Sequence, residues 1–183
     1  MNSQEIMQIL EERRTYRRFD ESSRLTKSKA ARVEFLTTVK YIEKYLTSGA
    51  RILDVGAGAG CHALVLQDKG MDVTAIDVSP LSVEVMVKSG VEDARLVNLY
   101  DEALCEKFDT ILMLMNGSGI IGKVANMPHF FARIDKLLAD GGQVLMDSSD
   151  LIFLFEEEDG SADIDLAGDY YGEVDFMMQY KNI

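Results

Sequence analysis

Two strand tips constrain this chain more than anything else in it. The run Leu53-Asp54-Val55-Gly56-Ala57-Gly58-Ala59-Gly60 carries a short apolar strand straight into a glycine turn, and Val73-Thr74-Ala75-Ile76-Asp77 gives a second strand that ends in acid. Glycines let the backbone bend tightly where a strand hands over to a helix, and they let a ligand lie against it. An acid at the next strand tip stands where a ribose is bound in an open parallel sheet. The alternation continues along the chain. Apolar runs predict strands at 51–55, 72–76, 94–98, 109–115 and 142–147, with helices near 60–68, 80–88 and 128–139 between them. Ser79-Pro80 supplies a capping hydroxyl and a first-turn proline, and Gly70, Gly90 and Gly141-Gly142 are read as following helix ends.

This order predicts an α/β fold: a Rossmann-like, doubly wound, mostly parallel sheet with helices on both faces. Residues 1–49 are read as N-terminal helices of the same domain, at 3–18 and 28–46, and residues 50–183 as the sheet-bearing part. Glu173 to Tyr180 is a sixth strand candidate close to the last residue, Ile183, so the C-terminal strands are expected to be incomplete. An unfinished sheet exposes an edge that invites pairing, hence an expected homodimer through the C-terminal segment.

Asp54 separates two kinds of nucleotide pocket. A dinucleotide brings a pyrophosphate to the glycine turn, and a carboxylate beside it would repel the phosphates. S-adenosylmethionine (SAM) has no phosphate and carries a cationic amino group and a sulfonium, which an acid at this tip favours. A dinucleotide site stays open as a weaker alternative, because Cys61 is small enough to stand in for the third glycine of a GxGxxG turn.

Four segments in order, RILDVGAGAG (51–60), DVTAIDVSP (72–80), FDTILMLMNGSGIIG (108–122) and LLADGGQVLMDSSD (137–150), resemble the class I SAM-dependent methyltransferases of the small bacterial type. The resemblance implies methyl transfer from SAM to a small-molecule acceptor, with S-adenosylhomocysteine (SAH) as product and no metal. It implies that Asp54, Gly56, Ala57, Gly58 and Gly60 line the methionine part of SAM, that Asp77 binds the ribose with Val78 beside the adenine, and that Asn98 and Leu99 stand at the third strand tip. Asn98 departs from the acid usual there. It also implies that the N-terminal region lids the site, and that Met115 and Asn116 face the cofactor at the fourth strand tip. That tip lacks the Asn-Pro-Pro-Tyr and Pro-Cys motifs of the nucleic-acid and amide-nitrogen subclasses.

The catalytic group is not fixed by sequence. Asn116 either positions the acceptor or only forms the turn before Gly117, and His62, Tyr16 and Asp147 are further candidates. A SAM-binding protein without catalysis and an NAD-dependent oxidoreductase are the alternatives. The net charge of −12 argues against a nucleic-acid or anionic-membrane partner. Two cysteines and no long apolar run suggest a cytoplasmic protein.

Overall fold

The computed structural model describes residues 29–165 and 167–174. The helix expected at 3–18, Tyr16 within it, and most of the expected lid lie outside the described residues. So does most of the strand expected from Glu173 to Tyr180; residues 173 and 174 are described, and they are not in a strand.

The sheet is five-stranded and parallel, in the order β3-β2-β1-β4-β5. Its strands are β1 (Arg51–Val55), β2 (Asp72–Asp77), β3 (Asp93–Leu96), β4 (Phe108–Met113) and β5 (Leu138–Met146). The helices are α1 (Lys29–Ile42), α2 (Cys61–Asp68), α3 (Pro80–Ser89) and α4 (Met127–Leu137). Strand side chains alternate between two apolar layers. Ile52, Val73, Ala75 and Leu112 pack with Ile42 of α1, Leu64 and Leu66 of α2 and Met86 of α3. Leu53, Val55, Ile76, Ile111 and Met113 point the other way, onto Phe130, Ile134 and Leu137 of α4. Those three lie one and two turns apart, so a single stripe of α4 faces the sheet. Each such side chain taken out of water contributes about 1.5–3 kcal/mol. Burial on both faces explains why β1 and β2 read as nearly continuous apolar runs.

The capping chemistry agrees with the sequence at α3. The Ser82 N–H donates to Ser79 Oγ at 3.3 Å, Pro80 opens the helix, and Gly90 closes it with φ 94°. Three boundaries are corrected. α4 stops at Leu137 and β5 starts at once at Leu138, four residues before the expected 142. Gly141-Gly142 is therefore no helix stop. It lies inside β5, where the pairing slips from Phe108↔Leu138 to Thr110↔Gln143 in a bulge. β3 ends at Leu96, which leaves Asn98 beyond the strand. β4 ends at Met113, because Met115 and Asn116 leave extended conformation altogether, with φ 59° and 63°.

Candidate functional site

The strands are parallel, so their C-terminal tips share one edge, and the loops there are the natural place for a ligand. At the β1 tip the turn is held by backbone. Gly56 and Ala57 donate their N–H groups to Ile76 O at 2.9 and 3.1 Å. Asp77, at the β2 tip, holds it by side chain: Gly58 N–H donates to Oδ2 at 2.9 Å, and Ser79 N–H donates to Oδ1 at 2.8 Å.

Asp54 sits behind the turn and is 3% exposed. Its Oδ2 has no hydrogen-bond partner among the described residues. Burial, reinforced by the charge of Asp77, pushes its pKa up to about 7. A buried carboxyl with an orphaned oxygen is costly unless a ligand completes it. Asp54 also adds to the burial that raises Cys61, to about 11, so that side chain stays a thiol.

The last two glycines of the turn do different work. Gly58 has φ 58° and open space where a Cβ would stand, so its surface is available to a ligand. Gly60, with φ 77°, is buried, and a Cβ there would fall 2.8 Å from Val91 Cγ2 and 2.9 Å from Met86 Cγ. Its bareness allows α2 and α3 to approach each other.

His62 is on the first turn of α2, with its ring centroid 4.9 Å from that of Phe35 in α1. Its Nε2 is buried without a partner among the described residues. Burial drives its pKa down to about 4, partly offset by the charge of Asp147, so the imidazole is neutral at pH 7.

At the β3 tip, Asn98 is exposed and its Oδ1 accepts the Tyr100 N–H at 2.9 Å. Leu99 is 3% exposed and belongs to the core under α4, so its side chain is part of the packing. Val78, in contrast, is 67% exposed beside Asp77. At the β4 tip, Met115 and Asn116 both adopt left-handed backbone, at about 1–2 kcal/mol each for residues with a Cβ. Asp147, one residue beyond β5, meets both: Met115 N–H donates to Oδ2 at 3.0 Å and Asn116 N–H to Oδ1 at 2.5 Å. Ser149 Oγ donates to Asn116 Oδ1 at 2.7 Å.

The structure thus brings Asp54, Gly56, Ala57, Gly58, Asp77, Val78, His62, Asn116 and Asp147 to the tip edge, and turns Leu99 and Gly60 into packing. Sequence reasoning missed Arg133 of α4. Its guanidinium donates to three carbonyls of the loop after β3: Leu99 O at 2.6 Å, Asp101 O at 2.7 Å and Leu104 O at 2.6 Å. It also missed Tyr100, whose ring stacks on His129 at 5.0 Å. Nothing local marks these contacts; only the fold brings α4 under that loop.

A methyltransferase-domain family model matches residues 27–166. A solved SAM-dependent methyltransferase from Bacteroides fragilis, in complex with S-adenosyl-L-homocysteine, is 60% identical, with TM-score 0.69, over 79% of this chain and 58% of that one. A TehB-like SAM-dependent methyltransferase from Corynebacterium glutamicum is 25% identical, with TM-score 0.51, over 58% of each chain. Among curated proteins, the mitochondrial ubiquinone biosynthesis O-methyltransferase of Schizosaccharomyces pombe is 28% identical over 63% of this chain and 44% of its own length. The chain spans less than two thirds of the length of each of these relatives.

Proposed function

Since the chain belongs to the family of methyltransferase domains, we propose that it transfers a methyl group from SAM to a small-molecule acceptor and releases SAH. The observation that carries this reading is the orphaned Oδ2 of buried Asp54 behind a glycine turn pinned by Asp77. Two carboxylates at neighbouring strand tips suit a cationic, phosphate-free adenosine compound and disfavour the pyrophosphate of NAD. The SAH complex of the Bacteroides fragilis relative supports the same ligand.

Asp54, Gly56, Ala57 and Gly58 would hold the methionine end, Asp77 the ribose and exposed Val78 one face of the adenine. Asn98 would meet the adenine through its side chain and Leu99 through its backbone; the bare surface of Gly60 would serve the fold. The sulfonium supplies an already activated methyl group, so the protein's own task is alignment and exclusion of water. Asn116 at the β4 tip is the candidate for orienting the acceptor. Neutral His62 is the candidate for accepting its proton where the acceptor must lose one. Tyr16 and the N-terminal lid remain proposals of the same kind.

Calorimetry with SAM, SAH and NAD tests the ligand: binding of the first two and not the third is expected, and the reverse order would end this reading. Methyl-labelled SAM incubated with the protein and a cell extract tests turnover. The second reading, SAM binding without catalysis, is favoured by Asn98 standing where the third strand tip usually carries an acid, and absence of label transfer would select it. The proposal extends to a cytoplasmic protein acting on neither nucleic acid nor membrane, supported by its acidity and by Cys61 and Cys105 standing free. It extends further to pairing of two copies through the C-terminal segment, supported by β5 as an outer strand of the described sheet. A monomeric mass at micromolar concentration would remove the pairing.

A further inference from the structure

Met115 and Asn116 are the only residues other than glycine with positive φ among the described residues, and they are consecutive. Strain of this kind persists only where surrounding structure over-determines it. Here both backbone N–H groups of the pair are held by one carboxylate, just beyond the neighbouring strand. Asp147 N–H donates to Met113 O at 3.2 Å, which sets the residue in register with the end of β4. Its side chain then turns over the tip and accepts both N–H groups of the left-handed pair, one on each oxygen. Its own carbonyl accepts the Ser118 N–H at 3.4 Å, where the chain enters the short 3-10 turn Gly117–Ile121. That turn lies over the glycine turn of β1: Ile120 Cδ1 would stand 3.1 Å from a Cβ at Gly56. Asp147 therefore connects the β5 tip, the left-handed pair and the wall above the glycine turn. Left-handed backbone at Met115 leaves its side chain 54% exposed at the sheet edge rather than in the core.

We propose that Asp147 is a positioning residue for methyl transfer, holding Met115 and Asn116 in the one backbone arrangement that presents them to the bound adenosine ligand and its acceptor. The proposal rests on the functional reading above and assigns Asp147 a place behind the reacting groups, not among them. Charge-assisted bonds from two consecutive N–H groups to one carboxylate hold a turn more rigidly than neutral pairs do.

The test uses SAH as probe, on the full chain, with Asp147→Ala, Asp147→Asn and a triple variant that adds Met115→Gly and Asn116→Gly to Asp147→Ala. Each protein is measured by calorimetry, by thermal unfolding and by hydrogen exchange at residues 115 and 116. Asp147→Ala is expected to weaken SAH binding roughly tenfold, the effect of losing a hydrogen-bonded charge, and to speed exchange at both amides. Asp147→Asn keeps one carbonyl oxygen and falls between Ala and wild type; it also serves if the alanine variant does not fold. The glycine pair adopts left-handed backbone without steric strain, at the cost of extra freedom in the unfolded chain, so the triple variant is expected to regain part of the thermal midpoint lost in Asp147→Ala and not the SAH affinity. Wild-type affinity in Asp147→Ala, or affinity regained together with the midpoint in the triple variant, overturns the proposal while leaving SAM binding intact. A wild-type chain that does not bind SAH overturns the functional reading and this proposal together.

Discussion

Asp77 accepts the Gly58 N–H at 2.9 Å, so the acid at the end of β2 is also the clasp of the glycine turn that follows β1. The same carboxylate accepts the Ser79 N–H on its other oxygen. One side chain thus fixes the relative position of two adjacent strand tips before any ligand arrives. Asp77→Ala should weaken SAM or SAH binding by about 1–3 kcal/mol, the scale of an unmade hydrogen bond to a charged group. Asp77→Asn should cost less, because its amide oxygen retains one of the two bonds. Calorimetry with SAH reads both. Unchanged affinity in the alanine variant would take Asp77 out of the site.

Asp54 and His62 should leave opposite marks on the pH dependence of stability. The folded pKa of Asp54 is raised from 3.8 to about 7. Between those values the native state holds a proton that the unfolded state has lost, so its contribution is present at low pH and disappears as pH rises to about 7. The folded pKa of His62 is lowered from 6.5 to about 4. There the unfolded state holds the extra proton, so stability is present above 6.5 and disappears as pH falls to about 4. The two slopes, each at most about 1.4 kcal/mol per pH unit, cancel over the shared window. Relative to wild type, Asp54→Asn should make stability fall more steeply on acidification from pH 6.5 to 4, and His62→Gln should make it rise. Urea titrations across that range decide; parallel curves for all three proteins would contradict both assignments.

SAM binding should carry the mark of Asp54 alone. The ligand is cationic and the carboxyl is half protonated near pH 7, so affinity should rise as pH increases through 7. In Asp54→Asn that rise should be lost and the affinity should be low throughout. A pH-independent affinity in wild type would mean that the orphaned oxygen does not face the ligand.

How far the sequence reached depends on the range of each interaction. The alternation of strands and helices along the chain, the glycine turn and the acids at 54 and 77 are local patterns, and the apolar period with its Ser79-Pro80 and Gly90 punctuation is enough to read them. The start of β5 is not local. Leu137-Leu138-Ala139 continues a helical apolar pattern, and only pairing of Leu138 with Phe108 makes it strand. Gly141 then looks like a stop while serving a bulge, with φ 75°. Leu99 lies close to a strand tip and its facing was unreadable, because the core under α4 claims it. The Asp147 clasp and the His62–Phe35 contact join residues far apart in the chain, beyond any spacing rule.

Gly58 and Gly60 look equivalent in sequence and should separate in experiment. Gly60→Ala adds a Cβ against Val91 and Met86 on a left-handed backbone, so about 2–4 kcal/mol of stability should be lost through overpacking and strain. Gly58→Ala meets no atom within 4 Å and should cost only the backbone term, about 1 kcal/mol, while lowering SAH affinity more strongly. Urea unfolding and calorimetry on both variants distinguish the roles, and equal stability losses would show that the packing at Gly60 relaxes freely.

Arg133 closes the loop after β3 from below, with Nε on Leu99 O and Nη2 on Asp101 O and Leu104 O. Three carbonyls gathered around one guanidinium depend on its planar fork, which a lysine ammonium does not reproduce. Arg133→Ala should therefore destabilise the protein by about 2–3 kcal/mol, because partly buried carbonyls lose a charged donor. Arg133→Lys should recover less than half of that. The loop carries Asn98 and Leu99, so hydrogen exchange over residues 98–104 should rise in both variants, ahead of exchange in β1. If thermal unfolding of Arg133→Lys matches wild type, the latch is a matter of charge alone, and the fork geometry plays no part in holding the loop.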